Sequence, residues 1–121
     1  MIQKGTKLNV ADNTGAKLLG VIQILKGTRH RYGSLGDVVV ASVKEADPGK
    51  EVKKKNVVKA VIVRQRKPFR RFDGSYITFD ENAAVLVEGS NPRGNRVFGP
   101  IPRELKQKGF SSIVPLAKYV V

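Results

Sequence analysis

Residues 64–71 read RQRKPFRR, and Phe72 follows at once. Guanidinium groups present planar, bidentate donors that suit phosphate, and they also stack on bases. Arg64, Arg66, Lys67, Arg70 and Arg71 therefore have the chemistry of a nucleic-acid contact. Phe69, set among them, has two readings: it stacks on a base, or it holds the segment against the body of the protein. Upstream, Lys44 and the triplet Lys53, Lys54 and Lys55 extend the basic run, and the triplet also reads as a solvated face. Between residues 44 and 71 eleven basic residues meet three acidic ones, so this stretch alone holds +8 of a net +13. Arg93, Arg96 and Arg103 make a second group, with Lys106 and Lys108 close behind, and Arg29 and Arg31 make a third. Three separated basic groups suit broad contact with a shaped polyanion better than one small pocket.

Catalytic chemistry finds less support. His30 is the one histidine, and there is no cysteine, so a histidine or thiolate metal centre is excluded. Arg29 and Arg31 flank His30 and disfavour its charged form, which makes it a poor acid at neutral pH. Asp80 and Glu81 could pass for an acidic pair, but neighbours on a strand face opposite ways, so a polar turn is the better reading. Neither residues 33–36 nor 94–99 carry the P-loop pattern or a strand–GxGxxG–helix context, and their glycines read as turn glycines. The sequence names no catalytic residue, no metal ligand and no cofactor.

The elements that must position the basic groups follow from patterning. The chain has 121 residues, 40% of them hydrophobic, which is enough for one core and too short for two well-buried domains. A charge of +13 lies well beyond the roughly 2 to 8 units that solubility asks of a small domain. No apolar run approaches the roughly 18 residues of a membrane span, and the opening residues lack a signal-peptide core, so a non-membrane, intracellular protein is expected. Short β-branched runs at 21–25, 38–43, 57–63, 76–79 and 83–87 alternate with turn signals, the pattern of a small barrel or sandwich. Residues 38–41 and 60–63 are apolar without alternation, which predicts strands covered on both sides or bent at a barrel corner. Pro68 argues against a central strand, so residues 64–71 are expected to leave the core as a hairpin arm, turning either at Asp73–Gly74 or nearer Pro68 and returning over 75–79. Pro102 to Lys108, stopped by Gly109, reads as a short helix held by Leu105, with Phe98 and Phe110 expected to pack. Ser111 and Ser112, followed by Ile113, suggest the opening of another short turn or helix.

The choice between nucleic acids favours folded RNA. No long recognition helix, zinc finger, zipper or RNP aromatic pattern is present. A rival is an OB-like module that binds single strands, although such modules stack bases on several aromatics along one sheet face. A second rival is a cationic module that binds protein.

Four separated motifs then converge. Ala11-Asp12-Asn13-Thr14-Gly15-Ala16, the stretch 36–44 reading GDVVVASVK, Ala60-Val61-Ile62-Val63 followed by Asp73-Gly74, Phe79, Asn82, Val85 and Leu86, and Arg96-Val97-Phe98-Gly99-Pro100 with Arg103-Glu104-Leu105 occur in order. Together they resemble the universal family of the fourteenth protein of the large ribosomal subunit, in its bacterial or organellar form. The likeness runs from Met1 to about Leu116, and the last five residues depart from the usual ending. The resemblance implies an all-β-dominated chain: a small five-stranded OB-like β-barrel with a projecting hairpin and a short helical C-terminal part. One ribosomal RNA-binding domain would span 1–121, with the barrel over about 1–100 and the helical part over about 101–121. It further implies a structural role on cytoplasmic or organellar ribosomes. The implied partners are large-subunit ribosomal RNA, small-subunit ribosomal RNA at a bridge, the third and nineteenth large-subunit proteins, and a ribosome-silencing factor.

Overall fold

The computed structural model describes residues 2–25, 31–50 and 52–121. In chain order its strands are β1 (Lys7–Val10), β2 (Ala16–Ile24), β3 (Val38–Ala46), β4 (Val57–Arg64), β5 (Phe69–Arg70), β6 (Tyr76–Ile77), β7 (Ala83–Glu88), β8 (Asn91–Pro92), β9 (Val97–Ile101) and β10 (Ala117–Val120). One helix, α1 (Glu104–Gln107), and a 3-10 turn over Val114–Leu116 separate β9 from β10.

β1, β2, β3, β4 and β7 pair in that order, antiparallel throughout. β1 then pairs with β7 in parallel, Asn9 beside Ala83 and Val10 beside Ala84, and the sheet closes into a five-stranded barrel. Closure removes the open edges that a five-stranded sheet would otherwise expose. Register shifts along the β2–β3 pair bend that long hairpin around the barrel. β8 adds a short extra strand outside β7.

The apolar runs explain how the core is divided. Ala60 and Ile62 of β4 and Ala84 and Leu86 of β7 face the barrel interior, beside Leu8, Leu19, Val39 and Val43. Val61 and Val63, with Ala83, Val85 and Val87, face the other way and pack on Val97, Ile101, Leu105, Phe110 and Ile113. The two strands are thus buried on both faces, which is why their sequences do not alternate. On β3 the inward Val39 and Ala41 are buried, whereas Val38 and Val40 are only half-covered.

α1 is a single turn of helix, so packing holds it rather than propensity. Leu105 inserts fully into the outer core, and Gly109, at φ +94°, ends the segment in the left-handed region. Pro102 lies before the helix start, not inside its first turn. β10 returns parallel to β9, with Ala117 beside Val97 and Val120 beside Ile101. The unusual C-terminal residues are therefore a strand. Phe110 packs as expected, but Phe98 does not, being half exposed on β9.

Candidate nucleic-acid interface

The arm begins later than the sequence suggests. Arg64 is the last residue of β4 and is 7% exposed. Its guanidinium donates to the carbonyls of Phe98 (2.7 Å) and Pro100 (3.1 Å) and pairs with Glu81 at 2.9 Å. These bonds corner the β9 backbone where Gly99 takes φ +80°, and a Cβ there would come within 2.5 Å of Arg64 Nη1. Arg64 is a structural strut, so the expectation that it projects towards phosphate is corrected. Glu81 is equally committed, since it also accepts from Asn9 Nδ2 at 2.8 Å. Gln65 is buried too, and donates to the Lys67 carbonyl.

From Arg66 onward the chain leaves the barrel. Arg66 is tied by its backbone: its N–H donates to Asn82 Oδ1 and its carbonyl accepts from the Thr78 hydroxyl. The side chains of Arg66, Lys67 and Arg70 are exposed, and among the described residues no ion pair engages them. Phe69 packs against the barrel core, which resolves its two readings in favour of holding the arm. Arg71 is largely covered: it pairs with Glu104 at 3.0 Å and donates to the Val121 carbonyl at 2.6 Å. It clamps the arm to the C-terminal part. The turn lies at Asp73–Gly74, with Gly74 at φ +87° and its N–H donating to the Arg71 carbonyl. Asp73 Oδ1 accepts from the Ser75 N–H and hydroxyl, and these bonds hold its carboxyl below the ordinary 3.8. The return limb is shorter than expected, with only Tyr76–Ile77 in strand.

The other basic groups sit on separate loops of the same body. Lys53, Lys54 and Lys55 are exposed between β3 and β4, where Lys55 holds a left-handed backbone at φ +74°. Lys44, at the exposed end of β3, lays its side chain across Gly20. Arg31 is exposed; Arg29 and His30 lie outside the described residues. Arg103 is largely exposed, 4.0 Å from Glu104, whereas Arg93 is half-buried with Glu88 3.6 Å away.

Sequence reasoning missed what places Arg96. Asn13 Oδ1 accepts from the N–H groups of Asn95 and Arg96, and its Nδ2 donates to Asn95. The adjacent Asp12 is buried. Its Oδ1 accepts from Thr14 N–H and hydroxyl, and its Oδ2 from Leu86 N–H at 2.9 Å. Burial pushes this carboxyl above its usual range, against those hydrogen bonds and the charge of Arg93. The turn residues 12–15 thus act as a bracket between β7 and the 93–96 loop. The 11–16 motif was visible in the sequence, while its long-range partners were invisible without the fold.

Taken together, the exposed cations occupy the arm, the β3–β4 loop and the 93–96 loop, all fixed by one closed barrel. That arrangement suits phosphate contact at several separate points. Among the described residues no three metal-ligating side chains converge, and no helix is long and apolar enough to cross a membrane. The family model for ribosomal protein L14p/L23e matches residues 1–121.

Proposed function

The chain belongs to the ribosomal protein L14p/L23e family, and from that premise we propose how it serves the ribosome. It is a structural, RNA-binding constituent of the large ribosomal subunit, without an enzymatic role. The whole chain works as one RNA-binding unit, barrel and C-terminal part together. Its contact residues are Arg31, Lys44, Lys53, Lys54, Lys55, Arg66, Lys67, Arg70, Arg96 and Arg103, with Arg71 and Arg93 setting loop positions. The observation that supports this reading is the set of exposed cations on separate loops, held at fixed spacing by hydrogen-bonded brackets at Asn13, Asn82 and Arg71.

The mechanism is neutralisation and positioning. RNA segments that repel one another are held together because each meets its own basic loop, and each contact releases counterions. Shape and phosphate contact of this kind is how folded RNA is usually met. A single-strand mode has weaker support, because the exposed aromatics Tyr32, Phe72, Tyr76, Phe98 and Tyr119 are spread over a loop, the arm and the β9–β10 sheet rather than lined along one face of the barrel.

Finer partners follow from family likeness: small-subunit ribosomal RNA at a bridge, the third and nineteenth proteins of the large subunit, and a ribosome-silencing factor. The exposed Phe98, Tyr119 and Val120 on the β9–β10 sheet give a protein neighbour apolar surface to cover. The proposed compartment is the cytoplasm, with organellar ribosomes as the other home of this family type.

Sedimentation of tagged protein from a lysate through a gradient at about 0.5 M salt tests the reading, because loose phosphate binding is largely stripped there. Co-migration with the large subunit is expected. Release to the top of the gradient would move the single-strand and protein-binding alternatives ahead.

A further inference from the structure

Phe72 stands apart from the rest of the arm. Its side chain is 99% exposed, whereas Phe69, three residues earlier, packs on the barrel core. The position is nonetheless pinned. The neighbouring Arg71 side chain is clamped to Glu104 and Val121. The Arg71 N–H donates to the Ser75 carbonyl at 2.8 Å, which closes the hairpin tip. Holding an apolar ring in water at a fixed tip gives this chain no packing energy, so the ring's use lies outside it.

The ring edges a cleft of about 290 Å³ between the arm and α1. Phe69, Arg70, Arg71, Glu104, Gln107 and Lys108 line it alongside Phe72, and the Glu104 carboxylate is neutralised by its ion pair with Arg71, which leaves Arg70 and Lys108 as the cations facing a ligand. An aromatic face offers a stacking surface, two cations suit phosphate, and an amide can pair with a base edge. The exposed lining is mostly apolar but is flanked by Arg70 and Lys108 in a chain of net charge +13, which favours a base with its phosphates over an apolar protein side chain. We propose that this cleft is a subsite for one unpaired nucleobase, stacked on Phe72, with its flanking phosphates on Arg70 and Lys108. The subsite rests on the RNA-binding reading above and adds a base contact to what is otherwise phosphate contact.

The chain contains no tryptophan, so a Phe72→Trp variant carries a single tryptophan, at the site in question, that can be excited apart from the three tyrosines. Full-length protein is titrated with large-subunit ribosomal RNA, with unsubstituted protein, Phe72→Ala and Phe72→Tyr in parallel. Stacking predicts quenched emission from the Phe72→Trp variant on binding. It also predicts roughly 5- to 150-fold weaker binding by Phe72→Ala, the range for loss of one base–aromatic stack, and near-normal binding by Phe72→Tyr. The salt slope of Phe72→Ala stays that of the unsubstituted chain, because no charge is lost. Normal affinity of Phe72→Ala, with unquenched emission from RNA-bound Phe72→Trp, overturns the subsite and leaves the RNA-binding reading intact. A blue shift without quenching that needs assembled large subunits also overturns it, in favour of a protein neighbour. Failure of the unsubstituted chain to bind RNA removes the wider reading and the subsite with it.

Discussion

Arg64 and Arg66 are two residues apart, and their replacement by alanine has opposite consequences. Arg64→Ala leaves the carbonyls of Phe98 and Pro100 without their donor and Glu81 without its cation. A loss of about 2–4 kcal/mol is expected in denaturant melts, with Glu81's partial exposure keeping it below the cost of a fully buried pair. Arg64→Lys does not restore it, because an ammonium cannot span both carbonyls and the carboxylate as a guanidinium fork does. Arg66→Ala leaves stability nearly unchanged and weakens RNA binding, with a shallower salt dependence. Lys55 offers a cleaner charge deletion still. Its left-handed backbone costs a side-chain-bearing residue what glycine avoids, so Lys55→Gly should hold stability within about 1 kcal/mol in thermal melts while removing one cation. Residue types were legible in the sequence, and their direction was not. RQRKPFRR announces cations, but only the strand end at Arg64 decides which one turns inward. Phe69 and Phe72 likewise look equivalent in sequence, yet Phe69 is half-buried against the core and Phe72 is exposed.

The hairpin arm is the least self-sufficient element, with two residues per strand and a turn that depends on Gly74. A Cβ at Gly74 would meet nothing within 4 Å, so the penalty for valine there is purely one of backbone conformation. That penalty is about 1–2 kcal/mol and larger for a β-branched residue. Gly74→Val should therefore strip exchange protection from the Arg71 and Gly74 amides while the barrel melts nearly as before. Asp73 makes the same turn sensitive to acid. Its carboxyl is depressed by hydrogen bonds from Ser75, so its contribution is present above the ordinary 3.8 and fades as pH falls through the lower folded value. NMR titration should find the Ser75 amide shift flat down to about pH 4 and moving below it, and the movement should vanish in Asp73→Asn. Strands β3, β4 and β7 were readable from their apolar runs. β1, the first half of β2, β9 and β10 were not: KLNV alternates but is only four residues long, β2 carries a glycine in that half, and β9 and β10 lack a clear period of two. Their strand state comes from neighbours: β1 from barrel closure, and β10 from β9.

At the scale of the molecule, two cores share β4 and β7, and charge is arranged around them. Replacing Arg66, Lys67, Arg70 and Arg96 by alanine together should leave the circular dichroism of the barrel unchanged. The slope of log affinity against log salt should fall by about three, since each lost phosphate contact is worth roughly 0.7–0.9. An unchanged slope would detach the arm and the 93–96 loop from RNA. Charge and family likeness made this scale the most legible of the three, while the bracket at Asn13 and the clamp at Arg71 needed coordinates. The parallel pairing of β1 with β7 also bears on how the protein is made. During translation β1 emerges before the rest of the barrel, yet its partner at Ala83 is polymerised about seventy positions later. At roughly 5–20 residues per second, that delay is about 4–15 seconds. Throughout it the nascent chain has one barrel edge unpaired and much of its cationic segment already exposed, so for this chain the dangerous interval comes before folding, and rapid capture by a chaperone or by RNA would shorten it.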